Sequence, residues 1–276
     1  MRSRVGRSRS SRCRGGWLAL LLGVVGLLPA VGRADGPGTA EAGWQALAPG
    51  LAHRTLAAPG SGLLPARYTL EAFRVDIARF RPVVADARRG TQRQTATVET
   101  LAQERRALLA VNGSYFDEHR RPLGLLVEEG KLIRPLRRAD WGVLYVRAGK
   151  AALVHTREFR ERGIDPRELE FAIQVGPRLV SGGRTLKLKP QWADRAAIGI
   201  LPGGELVVVV NRGGAVESNE LARVMARSPR EGGLGCREAV MMDGGPSAQL
   251  YASVGSFELH RPGGYGVPIA VAFVKR

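Results

Sequence analysis

The sequence predicts an α+β fold: a largely antiparallel, curled sheet with a few packed helices, in a single domain. Short apolar segments with strand character outnumber helical ones by several to one. Tight turns separate most of these segments, and such turns join antiparallel neighbours. Strand and helix patterns do not alternate, and the sequence contains neither GxGxxG after a strand nor GxxxxGK(S/T). A doubly wound nucleotide-binding fold is therefore excluded.

The first 34 residues have the pattern of a secretory signal peptide. They contain seven arginines and no acidic residue, and an apolar run extends from Trp17 to Ala30. Small residues stand at both ends of Gly32-Arg33-Ala34, where a signal peptidase would cleave. The run is shorter than the roughly 20 apolar residues that span a bilayer. We expect an exported protein, periplasmic or extracellular, without a membrane span after cleavage; an uncleaved N-terminal anchor is the alternative.

Residues 35–65 are rich in Gly, Ala and Pro and predict a spacer followed by an edge strand near Leu51–Leu56. Residues 66–276 form the predicted folded domain. It begins with the alternating strand Tyr68–Ile77, and Thr97–Leu109 has the charge order of a helix. Further predicted strands are Leu108–Val111, Gly124–Glu128, Lys131–Ile133, Gly142–Arg147, Ala151–His155, Phe171–Val175, Ala196–Leu201, Glu205–Val210, Ala239–Met242, Ala248–Tyr251 and Pro268–Val274. A second helix is predicted over Ser218–Arg227, with a capping hydroxyl or amide at Ser218 or Asn219.

Charge and cysteine content exclude several classes of protein. The net charge is +17, but beyond residue 34 there are 35 basic against 25 acidic residues. The basic residues are mostly dispersed arginines without interleaved aromatic residues, so we predict no nucleic-acid partner. Cys13 and Cys236 cannot build a disulfide framework, and no cysteine or histidine spacing indicates a zinc site. We predict no cofactor and no metal, although calcium held by backbone carbonyls would leave no motif. The sequence does not determine the oligomeric state.

Four polar, glycine-bearing segments stand next to predicted strands. Glycine at such places permits positive φ and lets a ligand approach the backbone. Each segment also carries an amide, carboxylate, guanidinium or hydroxyl group. The segments are 112–117 (NGSYFD), 174–178 (QVGPR), 194–199 (DRAAIG) and 243–247 (DGGPS).

Together with their flanking strands, these segments resemble the phosphodiester glycosidase family in composition and order. The resemblance rests on AVNGSYFD, PLGLLVEEGKL, AIQVGPRLV, RAAIGI and EAVMMDGGPSAQLY, and it covers about Tyr68 to Arg276. It implies an exported hydrolase that cleaves the bond between a sugar anomeric carbon and a phosphodiester. Family members usually have Asn-Gly-Gly-Phe-Phe at 112–116 and Asp-Gly-Gly-Gly-Ser-Ser at 243–248, so Pro246 and Ala248 depart from the pattern.

This reaction needs donors for the phosphate and a carboxylate for the sugar. Arg195 is the predicted phosphate ligand because a guanidinium can bind two oxygens at once; a structural ion pair with Asp194 is its alternative role. Asp243 is the predicted catalytic carboxylate, and an Asx-turn is its alternative. Glu217 and Asp117 are reserve carboxylates. The predicted substrate-binding residues are Asn112, Gly113, Gln174, Gly176, Gly244, Gly245 and Ser247.

A second function remains open at this point. A non-catalytic protein of the same fold could hold an anionic glycan or take part in exopolysaccharide handling, with hydrolysis lost through the changes at Pro246 and Ala248. In both cases the predicted partner is a glycan or a sugar phosphate. If the four segments carry one site, Asn112, Gln174, Arg195 and Asp243 should meet although they are distant in sequence.

Overall fold

Antiparallel strands make up most of the described chain, which is residues 43–57 and 68–276 of a computed structural model. Its strands, in chain order, are β1 (Gln45–Ala48), β2 (Leu51–Ala57), β3 (Tyr68–Val75), β4 (Phe80–Asp86), β5 (Leu109–Asn112), β6 (Leu126–Glu128), β7 (Lys131–Arg134), β8 (Gly142–Arg147), β9 (Lys150–His155), β10 (Phe171–Val175), β11 (Arg178–Ser181), β12 (Arg184–Thr185), β13 (Trp192–Ala193), β14 (Ala196–Ile200), β15 (Leu206–Gly213), β16 (Val216–Glu217), β17 (Glu238–Met241), β18 (Leu250–Val254), β19 (Phe257–Arg261) and β20 (Ile269–Lys275). The α-helices are α1 (Val98–Glu104), α2 (Thr156–Glu161) and α3 (Ser218–Ala226).

These strands are divided among four sheets, and each strand pair is antiparallel. The largest sheet has the order β1-β2-β3-β15-β14-β17-β11-β12. Two five-stranded sheets have the orders β7-β6-β10-β8-β9 and β19-β18-β5-β20-β4, and β13 pairs with β16.

One hydrophobic core is shared by the three large sheets. Phe73, Phe171 and Phe273 each come from a different sheet and are completely buried in this core. The alternation of side chains along each strand sends the other set of apolar residues to the outer face. There each sheet carries one helix: α3 on the largest sheet, α2 on the β10 sheet and α1 on the β20 sheet. Loops at the strand ends are thereby held on a rigid framework.

The sheet-rich α+β class predicted from the sequence is confirmed. The prediction of one curled sheet differs from the structure, which divides its strands among separate sheets; sheets of many twisted strands commonly split in this way. The predicted edge strand near Leu51–Leu56 exists as β2, but β1 forms the edge and β2 lies inside it. Helix α1 ends earlier than predicted, at Glu104, because Arg106 takes the left-handed conformation with φ 52°.

The predicted signal peptide, residues 1–34, lies outside the described residues, as does most of the predicted spacer. Residues 45–57, which the sequence placed in the spacer and edge strand, pair through β2 with β3. Within the described residues, no helix has the length and apolar character needed to cross a membrane.

Candidate active site

Asp243 lies at the end of β17, in a loop fixed from both sides. Its backbone N–H donates to the carbonyl of Gly113 at 3.2 Å, and its carbonyl accepts from Asn112 Nδ2 at 2.7 Å. Its own carboxylate Oδ1 accepts from the Gly244 N–H at 2.9 Å. These bonds join the segments 112–117 and 243–247, so two of the four predicted segments meet here.

The pKa of the Asp243 carboxylate is raised above its usual value. Burial raises its pKa, while hydrogen bonds from the Ser247 hydroxyl and the Gly244 amide act in the opposite direction. Among the described residues, no Arg, Lys or His lies within ion-pair distance of it. A partly buried carboxylate without a counter-ion favours a functional role over a purely structural one. The carboxylate bonds the N–H of the next residue, whereas the Gly245 N–H donates to Asp194 O, so the Asx-turn named as the alternative role is not formed.

Arg195 is buried behind this loop, with 5% of its surface exposed. Its Nε donates to Val216 O, Nη1 to Met241 Sδ, and Nη2 to Gln191 O and Ser218 Oγ, at 2.6–3.3 Å. Four of the five N–H groups are thus occupied by the protein. A two-pronged contact with phosphate would require some of these bonds to break, so the predicted Arg195–phosphate contact stays a prediction.

The alternative ion pair between Arg195 and Asp194 is not formed. Asp194 instead pairs with Arg261 at 2.7 Å and accepts from Asn211 Nδ2 at 3.0 Å. Burial lowers the pKa of Arg195, and within the described residues no carboxylate lies within 4 Å of its guanidinium. A Cβ built on Gly244 would lie 3.6 Å from Arg195 Nη1, which places this cation directly against the loop of Asp243.

Tyr115 links Asp243 and Arg195 to the segment around Gly176. Its hydroxyl donates a short hydrogen bond to Gly176 O, and its ring lies 5.1 Å from that of Trp141. Burial raises the pKa of Tyr115 to about 12; the Asp243 carboxylate adds to the increase and the Arg195 guanidinium opposes it. Both charged groups therefore act on the Tyr115 hydroxyl.

Gln174 is completely buried and makes the four hydrogen bonds that its amide allows. Its Oε1 accepts from the N–H groups of Leu125 and Arg137 at 3.0 and 2.9 Å. Its Nε2 donates to Arg137 O and Thr156 Oγ1 at 2.8 and 2.9 Å. A contact with a sugar would require one of these bonds to break, and the predicted role of Gln174 in binding substrate stays a prediction.

Asn112 is likewise fully buried and bonds the backbone. In addition to the contact with Asp243, its Oδ1 accepts from the Gln249 N–H at 3.1 Å. The structure therefore assigns Asn112 to holding the loop rather than to a free amide in an open site. Its predicted direct contact with substrate stays a prediction.

Close packing explains why three of the predicted glycines are glycines. A Cβ on Gly113 would lie 2.6 Å from Ile269 Cγ1, and one on Gly176 would lie 2.9 Å from the Trp141 ring. A Cβ on Gly244 would meet Asp194 O at 2.9 Å. Gly245 has φ 57°, and its N–H donates to Asp194 O at 2.8 Å, which brings the segment 194–199 to the same loop. The contact of these glycines with a substrate stays a prediction.

Three side chains next to the buried Ser247 form the more exposed side of the site: Tyr265, Phe116 and Arg120. The Ser247 and Tyr265 hydroxyl oxygens are 3.3 Å apart, and the Tyr265 ring packs edge-on against Phe116 at 6.3 Å. The Arg120 guanidinium lies 5.3 Å from the Phe116 ring centre and 5.7 Å from that of Tyr265. Tyr265 is 45% exposed, and Arg120 is exposed without an ion-pair partner among the described residues.

The two departures from the family pattern have structural explanations. Pro246 lies in the first turn of the 3₁₀ helix Gly245–Ser247, where a backbone N–H has no helical partner to lose. Ala248 is completely buried in the core shared by the three large sheets. Its methyl group faces the core and not Asp243, so a hydroxyl at this position would be buried.

The two reserve carboxylates are engaged elsewhere. Glu217 caps helix α3, accepting from the N–H groups of Asn219 and Glu220, a role the sequence assigned to Ser218 or Asn219. Asp117 accepts from Arg121 Nε at 2.7 Å. Within the described residues, no group of three or more His, Cys, Asp or Glu side chains is placed to hold a metal ion.

Sequence reasoning found the loops but missed several of their side chains. Tyr115 stood inside a predicted segment without a role, and Trp141, Arg120 and Tyr265 lay outside the predicted site. The sequence signal that could have indicated a role for Tyr115 was its place directly after residues 112–114 of a predicted segment. The structure brings together Asn112, Gly113, Arg195, Asp243 and the glycines around it; Gln174 lies near them but is turned toward α2.

The fold is that of a known structural class. The catalytic domain of zebrafish N-acetylglucosamine-1-phosphodiester alpha-N-acetylglucosaminidase, solved in a form auto-inhibited by its pro-peptide, has a TM-score of 0.64 at 16% identity, over 85% of this chain and 86% of that one. A hypothetical protein from Synechocystis has a TM-score of 0.56 at 15% identity, over 83% and 62%. A protein from Burkholderia pseudomallei K96243, named as a candidate for export, has a TM-score of 0.56 at 13% identity, over 78% and 75%.

The profile of the phosphodiester glycosidase family matches residues 105–274, more than half of the sequence, and the chain belongs to that family. Uncharacterized protein YigE from Escherichia coli (strain K12) is 30% identical over 117 residues. That match covers 38% of this chain and 44% of YigE, so this chain spans less than half of that relative's length.

Proposed function

We propose that the protein is an exported hydrolase that cleaves the bond between a sugar anomeric carbon and a phosphodiester. One observation carries the proposal: the partly buried Asp243, which has no counter-ion among the described residues, is followed by Gly244, whose backbone packs against the buried and equally unpaired Arg195, and both charges act on the Tyr115 hydroxyl. Opposite charges kept apart in this way are suited to a ligand that develops positive charge at one end and negative charge at the other.

In this reaction a water oxygen bonds to the anomeric carbon, and the bond from that carbon to the phosphate oxygen breaks. The electron pair stays on the phosphate, which leaves as a stable monoester anion and needs little protonation. Asp243 takes the proton of the attacking water or stabilises the oxocarbenium-like sugar. Its raised pKa is suited to accepting a proton.

The phosphate needs cationic donors, and the structure favours Arg120 as the contact. Its guanidinium is exposed beside Tyr265, whereas most N–H groups of Arg195 are already bonded to the protein. In this arrangement the positive charge of Arg195, on the far side of Gly244, stabilises the phosphate without donating two hydrogen bonds to it. The exposed faces of Tyr265 and Phe116 provide apolar surface for a sugar ring.

A non-catalytic glycan-binding protein is the second candidate. The hydrolase is favoured over this candidate because Pro246 fits the first turn of a 3₁₀ helix and Ala248 lies in the core. Export is supported by the N-terminal pattern of residues 1–34 and by the name of the Burkholderia relative.

Turnover of a sugar-1-(methyl phosphate) diester by wild-type protein and by Asp243→Asn tests the proposal. We expect wild-type turnover and a loss of more than about 100-fold in the variant, the usual scale for a positioned general base. Asp165→Asn is the matched control, because Asp165 is partly exposed, lies outside the candidate site and is paired with Arg167. Wild-type protein that binds such diesters without cleaving them would support the binding function instead.

A further inference from the structure

Three arginines line a cavity of about 880 Å³ next to the Tyr115–Trp141 ring pair. They are Arg138, Arg157 and Arg160, and the single acidic residue of the lining is Asp140. Asp140 is adjacent to Trp141 in the chain, and Thr156, at the base of the cavity, donates to Trp141 O at 3.0 Å. The cavity therefore borders the backbone of Trp141, whose ring packs against Tyr115 of the candidate active site.

Three arginines without a partner among the described residues share this one cavity. Arg138, Arg157 and Arg160 are exposed, and none has an ion pair or a side-chain hydrogen bond to a described residue. Arg106 and Arg230 also lack such partners, but the other arginines of their cavities are paired with glutamates. Asp140 forms no ion pair with the three arginines; its carboxylate bonds His155 Nε2 at 2.8 Å.

The walls of this cavity are fixed by buried bonds. Gln174 holds both backbone groups of Arg137 and also Thr156 Oγ1. His155 Nδ1 accepts from the Arg157 N–H at 3.1 Å. The backbone that carries two of the arginines is thus held in place before any ligand arrives, which lowers the entropic cost of binding.

The same strand connects the cavity to the site of Asp243. Two residues after Gln174, Gly176 accepts from Tyr115, whose pKa responds to Asp243. Tyr115 and Trp141 thus connect the candidate catalytic carboxylate to this second cationic region. A volume of this size is in the range of sites that hold small molecules and exceeds what one phosphate needs.

We infer that the cavity of Arg138, Arg157 and Arg160 binds a second phosphate, carried by the aglycone of the substrate. The inference rests on the proposed function and narrows its substrate class to sugar phosphodiesters whose aglycone is itself phosphorylated. Guanidinium groups match phosphate oxygens in geometry and charge, and they keep their charge at any physiological pH.

The test compares two substrates. One is a sugar-1-(methyl phosphate) diester, and the other has an aglycone that ends in a phosphomonoester. For the double variant Arg157→Gln/Arg160→Gln we expect kcat/KM to fall about 10-fold on the second substrate and to stay within about twofold on the first. In wild-type protein, 0.5 M salt should shrink the advantage of the second substrate, because charge contacts at exposed groups are screened.

The matched control is Arg184→Gln/Arg230→Gln, which removes two exposed arginines that do not line this cavity. It should leave both substrates unchanged. An equal loss on both substrates in the Arg157/Arg160 variant, or no loss on either, would overturn the inference while the proposed function stands.

A binding measurement separates this inference from the proposed function. Inorganic pyrophosphate is titrated while the arginine Nε–Hε signals are followed by NMR. We expect shifts at Arg138, Arg157 and Arg160 in wild-type protein and no such binding in the double variant. If neither substrate is turned over, the proposed function fails, and this titration alone decides whether the cavity binds phosphate. Shifts confined to other arginines would refute phosphate binding in this cavity.

Discussion

Asn112 and Asp243 are 131 residues apart in the sequence, yet the side-chain amide of Asn112 donates a 2.7 Å hydrogen bond to the Asp243 carbonyl. The same amide accepts from the Gln249 N–H, so one buried side chain holds both ends of the loop that carries the candidate catalytic carboxylate. The carboxylate is therefore positioned by backbone bonds, and its charge is left without a counter-ion.

That uncompensated charge predicts a stability gain for Asp243→Asn. Burial raises the pKa of Asp243, so the folded state binds a proton more tightly than the unfolded state. Stability then falls as pH rises from the unfolded pKa through the folded one, and the full cost is present at neutral pH. We expect Asp243→Asn to melt above wild type at pH 7–8 and level with it at low pH, by circular dichroism.

Asp165→Asn is the control for this melting series. Hydrogen bonds from Arg167 lower the pKa of Asp165, so its removal should give no gain at neutral pH. Equal or lower melting temperatures for Asp243→Asn at neutral pH would contradict the burial argument.

Arg195→Lys and Arg195→Gln separate the charge of this residue from its hydrogen bonds. The side chain of Arg195 is buried and bonded four times. Each variant should lose about 2 kcal/mol of stability because buried acceptors lose their donors. If Arg195 acts by charge, Arg195→Lys should retain more turnover than Arg195→Gln at a temperature where both are folded. Equal turnover of the two variants would rule out a charge role.

Gln174→Ala should destabilise the fold. It leaves the backbone groups of Leu125 and Arg137 unpaired in a buried place, at a cost of about 3 kcal/mol. Gln103→Ala, on the exposed side of α1, should stay within about 0.5 kcal/mol of wild type. Urea unfolding measures both. A stable Gln174→Ala protein with a raised KM would support the substrate-binding role predicted from the sequence.

Arg120→Gln should raise KM about 10-fold on a sugar-1-(methyl phosphate) diester, since it removes the exposed cation beside Tyr265. The fold should not change, because the side chain is exposed. The control is Arg230→Gln, which removes an exposed arginine that lines a cavity away from Tyr265; its steady-state kinetics should match those of wild type. Unchanged kinetics in Arg120→Gln would return the phosphate contact to Arg195.

The α+β class and most strands were predictable because alternating apolar residues mark them directly. Strand β4 was missed because Pro82 interrupts its pattern; the strand lies at a sheet edge, where proline is tolerated. Helix α2 has six residues, too few for a helical period to emerge.

The candidate site was predictable as a set of loops but not as a set of roles. Asp243 could be chosen because a carboxylate followed by two glycines comes after a buried strand. Gln174 and Asn112 could not be distinguished from ligand-binding amides, since their partners are backbone groups brought together by the fold. The burial of Arg195 depends on α3 and on the residues around Gln191, which the local sequence does not show.

Strand β20 lies between β4 and β5, and the Gly113 N–H donates to Ile269 O at 3.0 Å. During synthesis, β4 and β5 emerge long before the strand that joins them, so this sheet depends on contacts of high sequence separation and folds slowly for its size. The loop that holds Asp243 rests on Gly113 and thus acquires its final geometry only when the sheet closes. The geometry of the candidate site is therefore acquired late in folding, and a chain cut short before Ile269 would lack it.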